Sequence, residues 1–219
     1  MGCSQEEIDR SPIQFSEGNH SRLRPGDIKY RDLNGDGVID DYDKMPIGFC
    51  DIPEITYGFG GAIEWKGFDV SIFFQGTARV SLFEEGSTIV PFSSGYKNND
   101  GFLRGVMENR WTVDNPDPNA RYPRTIRPSD ALDNNNTKKS SFWVRNAAFL
   151  RLKNAEIGYT FPKRWMEKMA IQNLRLYVSG VNLLTWAPDV HLFDPDLGSG
   201  DGRKYPPTRV FNVGLNINF

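Results

Sequence analysis

The sequence contains no apolar run of about 18 residues, the minimum for a membrane-crossing helix, so a helical membrane protein is excluded. It has two cysteines, Cys3 and Cys50, too few for a disulfide framework and without CxxC spacing. Its two histidines, His20 and His191, are far apart and read as surface residues. No Ser/His/Asp order, nucleophile elbow, HExxH motif or phosphate loop is present, so no enzymatic activity is expected. The 28 acidic residues spread over loop-like segments, which is the pattern of a solvated face rather than of a catalytic pair. With a net charge of −2 the chain offers no basic surface to nucleic acid. Met1-Gly2-Cys3-Ser4 lacks an apolar stretch that an export machinery could read, so an exported protein with this sequence is expected to be a fragment.

What the chain does have is aromatic residues (13%, with 15 Phe and 8 Tyr) punctuated by 21 Gly and 14 Pro. Short aromatic-rich strands divided by turns are the all-β signature. Ile55, Tyr57, Phe59, Gly61, Ile63 and Trp65 alternate with Thr56, Gly58, Gly60, Ala62 and Glu64. That is period two, apolar on one side and small or polar on the other. Lys66-Gly67 reads as a two-residue turn, after which Phe68, Val70, Ile72 and Phe74 continue the alternation. A third strand is predicted from about Phe149 to Phe161, with a bulge near Lys153-Asn154 because Leu150 and Leu152 have the opposite parity to Ala155 and Ile157. Pro162 ends it, and the run from Lys163 to Ile171 suits one or two helical turns. A fourth strand covers about Asn173 to Trp186. The last alternates from Phe211 through Val213, Leu215 and Ile217 to Phe219, opposite Asn212, Asn216 and Asn218.

Connections alternate between short (66–67, 162–172) and long (77–148, 187–206), as transmembrane barrels alternate periplasmic turns with extracellular loops. A soluble β-sandwich also alternates along its strands. Loop asymmetry and an aromatic girdle at Trp65/Phe68, Phe161/Trp165 and Phe219 favour the barrel. The expected fold is therefore all-β: the C-terminal strands of a large antiparallel transmembrane β-barrel with long extracellular loops. Residues 1–54 are assigned to an extracellular loop region and 55–219 to barrel strands and loops. About five strands make an incomplete barrel, which is expected to have no transport activity of its own, because open sheet edges are not viable in hydrocarbon.

Asp32-x-Asn34-x-Asp36-Gly37-Val38 followed by Asp43 has the spacing of a calcium loop. Side-chain oxygens of Asp32, Asn34 and Asp36, the Val38 carbonyl and the Asp43 carboxylate would surround Ca2+, with Gly37 permitting the sharp turn. Asp43 stands where such loops carry a bidentate Glu, which shortens the reach. The competing reading is a surface turn rich in Asn, Gly and Asp for backbone reasons. Aromatics in the long loops (Phe92, Tyr96, Phe102, Trp111, Tyr122, Trp143) could stack on sugar rings, though packing of the loops against the protein or a partner is favoured.

Several segments resemble the C-terminal third of SusC/RagA-like TonB-dependent outer-membrane receptors of Bacteroidetes. They begin with Pro25-Gly26-Asp27-Ile28-Lys29-Tyr30, which runs into Asp32 to Asp40, followed by Tyr57-Gly58-Phe59 and Trp65-Lys66-Gly67-Phe68-Asp69. Phe73-Phe74-Gln75-Gly76, Phe149 to Asn154 with Gly158-Tyr159, Leu176 to Leu184 and the terminal Phe219 complete the set. The resemblance implies part of an importer of oligosaccharides or peptides in the bacterial outer membrane, in contact with lipid. It also implies a SusD-like surface lipoprotein as partner. The plug domain and the TonB-contacting segment of such receptors have no counterpart here, and a plugged barrel has about 22 strands. The alternative function is a soluble calcium-dependent β-rich module that binds carbohydrate.

Overall fold

A computed structural model describes residues 4–16, 18–86, 103–125, 135–165, 171–200 and 204–219. Among them are seven strands: β1 (Ile55–Trp65), β2 (Phe68–Ala78), β3 (Ser81–Phe83), β4 (Val144–Asn146), β5 (Phe149–Thr160), β6 (Asn173–Trp186) and β7 (Val210–Asn218). Helices are short: α1 (Gln5–Asp9), α2 (Asn19–Arg22) and α3 (Arg104–Glu108), with brief 3-10 turns elsewhere. No helix among the described residues is long and apolar enough to cross a membrane, which says nothing about strands.

The chain divides into two compact units. The strand unit takes residues 49–82, 145–198 and 204–219, and the loop unit takes 1–48, 83–144 and 199–203. The strand unit starts at residue 49, and the loop unit also gathers the middle of the chain.

In the strand unit five strands form one antiparallel sheet in the order β1-β2-β5-β6-β7, an up-and-down meander. Lys66 (φ 50°) and Gly67 (φ 89°) both adopt positive φ, the two-residue turn whose twist matches the flanking strands. Glycine at the second position avoids the strain that a Cβ would bring there. Between β5 and its neighbours the register shifts at the expected bulge: Phe73 faces Asn154 and Phe74 faces Leu152, leaving Lys153 unpaired. The extra residue swaps the parity of β5, so Leu150 and Leu152 join the face of Ala155 and Ile157. The expected helical stretch after Pro162 begins as a 3-10 turn at Lys163–Trp165; the rest of it lies outside the described residues.

Following cross-strand partners across the sheet gives one continuous apolar face. Ile63 pairs Val70, Val70 pairs Ile157, Ile157 pairs Val178 and Val178 pairs Val213. These side chains are open to solvent in the structure, Ile63 at 74% and Val213 at 75% of full exposure. The buried cluster of this unit is small, consisting of Val80, Leu82, Ala147 and Val190 with Ala187 and Phe193 against them. A five-stranded sheet with one bare apolar face and so small a core is not how a water-soluble domain satisfies its hydrophobic residues.

The loop unit has its own core, to which Ile8, Leu23, Ile28, Val106, Trp111, Tyr122 and Trp143 contribute as buried residues. Ser4 caps α1 by accepting from the Glu7 N–H at 3.2 Å. Irregular backbone is held by a buried polar network. Asn136 donates to Asp27 at 2.7 Å and accepts from the Ile28 N–H at 2.8 Å. Arg124 pairs with Asp27 at 2.6 Å, and the Trp143 indole N–H donates to the Asn136 carbonyl at 2.8 Å. Such a network follows the rule that buried polar groups are hydrogen-bonded where no ladder can satisfy them, with Arg124 bonding Asp27 through Nη2 at 3.1 Å and meeting it through Nε as an ion pair alone.

Candidate functional site

The sheet has two faces and two ends, and each differs from its opposite. Opposite the apolar face lies a polar one. On it Arg175 of β6 donates through Nε to Asp69 Oδ1 at 3.0 Å, and through Nη2 to both Asp69 Oδ2 and Glu156 Oε1 of β5. One guanidinium thus ties together three adjacent strands, using the fork geometry that lets arginine meet carboxylates bidentately. Asn212 and Asn216 of β7 share this face, opposite Ser179 and Arg175. Tyr177 lies flat over Gly214, where any Cβ would overlap its ring. Charged and amide groups that alternate with exposed Val, Leu and Ile suit a sheet with water on one side and hydrocarbon on the other.

The ends differ in their connections. At the short-turn end, Phe68 and Tyr159 rings lie 4.6 Å apart, Tyr159 meets Phe161 edge-on at 5.0 Å and Phe161 lies 6.1 Å from Trp165. Trp65, Trp165 and Phe219 are exposed there. This is the aromatic edge expected from the sequence. At the opposite end Arg151, 2% exposed, holds the 187–198 connection: its guanidinium meets Asp194 at 2.5 Å and Asp196 at 2.8 Å, and Thr185 at 3.0 Å.

The acidic loop is closed by its own backbone. Asp32 accepts from the Gly35 N–H at 2.6 Å and the Gly37 N–H at 2.8 Å. Asn34 accepts from the Asp36 N–H at 3.0 Å, and Asp36 from the Val38 N–H at 2.8 Å. Asp43 accepts from Leu33 at 2.7 Å and from Asp40 at 2.8 Å. These N–H donors, that of Asp40 foremost, hold the Asp43 carboxyl below the usual carboxylate range. The loop is fastened to residue 13: the Ile13 N–H donates to the Gly37 carbonyl and the Ile39 N–H to the Ile13 carbonyl. Among the described residues no three His, Cys, Asp or Glu side chains gather into a metal-holding group. The hydrogen bonds are those of a self-capped turn, and each carboxylate oxygen that accepts one N–H keeps further lone-pair capacity.

Trp111, Tyr122 and Trp143 are buried, at 6%, 1% and 4% of full exposure, so they build the loop unit's core, leaving no free faces for sugar rings. Phe92, Tyr96 and Phe102 lie outside the described residues. His20 and His191 are exposed, as is the free Cys50, and Cys3 lies outside the described residues. Tyr30 donates to the Asn135 carbonyl at 2.7 Å, and burial pushes its phenol up to about 12. The sequence pattern did not single out Arg175, Asp69 and Glu156, or Arg151 with Asp194 and Asp196. Charges at the polar parity of otherwise alternating strands were the available signal for the first group.

No protein-family profile matches the chain. Among curated proteins it is 30% identical over 99% of its length to TonB-dependent receptor P26 of Formosa agariphila. It is 26% identical over 90% of its length to TonB-dependent receptor SusC of Bacteroides thetaiotaomicron. This chain corresponds to a segment of SusC-type TonB-dependent receptors. It spans 21% of the first relative and 18% of the second, about a fifth of each. Solved structures share the fold. The RagAB peptide transporter superposes with a TM-score of 0.59 at 24% identity, covering 89% of this chain and 20% of the other. The RagAB peptide importer in its closed-closed state gives 0.58 at 23%, covering 86% and 20%. The fold thus recurs in these solved structures, and the SusC-type resemblance carried by the sequence motifs holds over nearly the whole chain.

Proposed function

We propose that the chain supplies the C-terminal membrane-spanning strands and surface loops of a TonB-dependent importer in the bacterial outer membrane. The observation that carries this reading is the one-sided sheet: five consecutive strands whose apolar partners run unbroken from β1 to β7 and lie bare. Bilayer hydrocarbon would cover that face, while the polar face with Arg175, Asp69 and Glu156 would line the lumen. The missing strands would pair with the outer edges of β1 and β7, because unpaired N–H and C=O groups in hydrocarbon cost several kcal/mol each. Oligosaccharides or peptides are the substrate class this reading carries, with a SusD-like lipoprotein as partner on the long-loop side. TonB would act through the N-terminal part of such a receptor.

Uptake of labelled oligosaccharides and peptides by cells with and without the full-length receptor is the direct test. Receptor-dependent uptake of either class is the expected result. Equal uptake by both strains would contradict the reading. The soluble carbohydrate module is disfavoured by the bare apolar face and by the burial of Trp111, Tyr122 and Trp143.

Calcium at the acidic loop is a separable part of the proposal. Asp32, Asn34, Asp36 and Asp43 side chains with the Val38 carbonyl would hold Ca2+, which would pin the loop that residue 13 already fastens. Calorimetric titration of the receptor with calcium is expected to show a site that Asp36→Ala abolishes. Identical binding by both proteins would leave the backbone-capped turn as the loop's whole role.

A further inference from the structure

The short-turn end of the sheet carries cations as well as aromatics. Lys66 is the first residue of the β1–β2 turn, and its ammonium lies 4.7 Å from the centre of the Trp65 ring. The Thr160 N–H donates to the Gly67 carbonyl at 2.7 Å, which brings this turn beside the end of β5. There Lys163 and Arg164 occupy the 3-10 turn that ends in Trp165, and both are exposed. Among the described residues no carboxylate forms an ion pair with Lys66, Lys163 or Arg164. The acidic residues nearest Lys66 in sequence, Glu64 and Asp69, stand opposite each other across β1 and β2 on the polar face, and Asp69 is bound by Arg175; Glu167, the acidic residue nearest Lys163 and Arg164, lies outside the described residues. The result is three cations with no carboxylate partner among the described residues, beside the exposed rings of Trp65 and Trp165 on the end of the sheet where the short connections lie.

The geometry points to a binding surface for the headgroup of an anionic glycerophospholipid at this end, and the inference rests on the barrel reading above. Indole rings place their amphipathic bodies at headgroup depth, and long cationic side chains beside them reach the phosphate layer. A zwitterionic headgroup presents one phosphate whose charge is offset by its own amine. A phosphoglycerol headgroup leaves that charge uncompensated, so three unpaired cations favour it. A cation held over an indole face keeps its charge while losing part of its hydration, which makes an anionic partner more favourable still. Among the described residues, the lack of ion pairs to these three cations sets this end apart from the other charged clusters of the sheet, where Arg151 and Arg175 are each matched by two carboxylates.

The test uses the full-length receptor reconstituted in phosphatidylcholine bilayers containing a minor fraction of phosphatidylglycerol. Lipids retained after extraction are identified by native mass spectrometry. Wild-type receptor is expected to retain phosphatidylglycerol well above its bulk fraction. The K66Q/K163Q/R164Q variant is expected to lose that enrichment, at about fivefold per cation when each acts near an anionic surface. K163R should keep it, since charge rather than shape is at issue. Unchanged enrichment in the triple variant, or none in the wild type, would overturn the inference. So would a periplasmic protein whose co-purification depends on the three cations while lipid retention does not. Insertion and heat-modifiable migration in pure phosphatidylcholine test the barrel reading separately. A receptor that inserts there without lipid preference overturns only the lipid surface, and one that never inserts overturns both.

Discussion

Asp43 is one of the carboxylates that close the acidic loop, accepting from the backbone N–H groups of Asp40, Leu33 and Asn34. Because its folded pKa is depressed, the stabilisation it gives is present above the ordinary carboxylate value and lost as pH falls through the lowered folded value. Hydrogen exchange of the peptide spanning residues 31–45 is expected to show protection at neutral pH that disappears below the usual Asp range. Protection that persists after Asp43 is protonated would mean that the loop is held by other groups. Much at this scale was readable beforehand: Gly37, the Asp and Asn spacing and the reverse turn follow from local chemistry. What could not be read was which oxygens remain for a metal, since that depends on where each N–H points. The fate of Trp111, Tyr122 and Trp143 was equally hidden, because a loop aromatic looks the same in sequence whether it faces solvent or fills a core.

Along the strands the period-two pattern placed every long element, since a one-residue error would turn a whole side-chain set to the wrong face. Even the bulge at Lys153 followed from the parity change between Leu152 and Ala155. Ion pairs between elements were not accessible this way. With 26 basic and 28 acidic residues, pairing partners cannot be assigned by counting. Arg151 finds Asp194 and Asp196 only because β5 and the connection after β6 meet in space. Replacing Arg151 by Met should leave the partly buried Asp194 and the exposed Asp196 without the buried counter-charge between them. The cost should be about 2–4 kcal/mol, below the fully buried range because Asp196 is partly solvated. Limited proteolysis should then cut within residues 187–198 faster than in the wild type. An unchanged cleavage pattern would show that the Val190 and Phe193 packing alone holds the connection.

For the whole molecule the central claim is that one face of the sheet meets hydrocarbon and the other water. Overall composition could not decide this, because alternating strands average out to a modest hydrophobicity whether they line a barrel or a sandwich. The asymmetry of connection lengths, the aromatic edge and the bare apolar face support the proposal together, and the relatedness to TonB-dependent receptors agrees. Two positions on β7 separate the faces most cleanly. Leu215 pairs Leu176 on the apolar face, and Asn212 pairs Ser179 on the polar face. Asn216 is less suitable, because it stands opposite Arg175 and a new cation there would meet like charge. The measurement is the urea midpoint of heat-modifiable folding for full-length receptors carrying Leu215→Arg or Asn212→Arg in lipid bilayers. Leu215→Arg is predicted to lose up to about 2–4 kcal/mol, the full value being that of an arginine on the lipid face at the midplane, and Asn212→Arg to lose little. Equal tolerance at the two positions, or a greater loss at Asn212, would contradict the account.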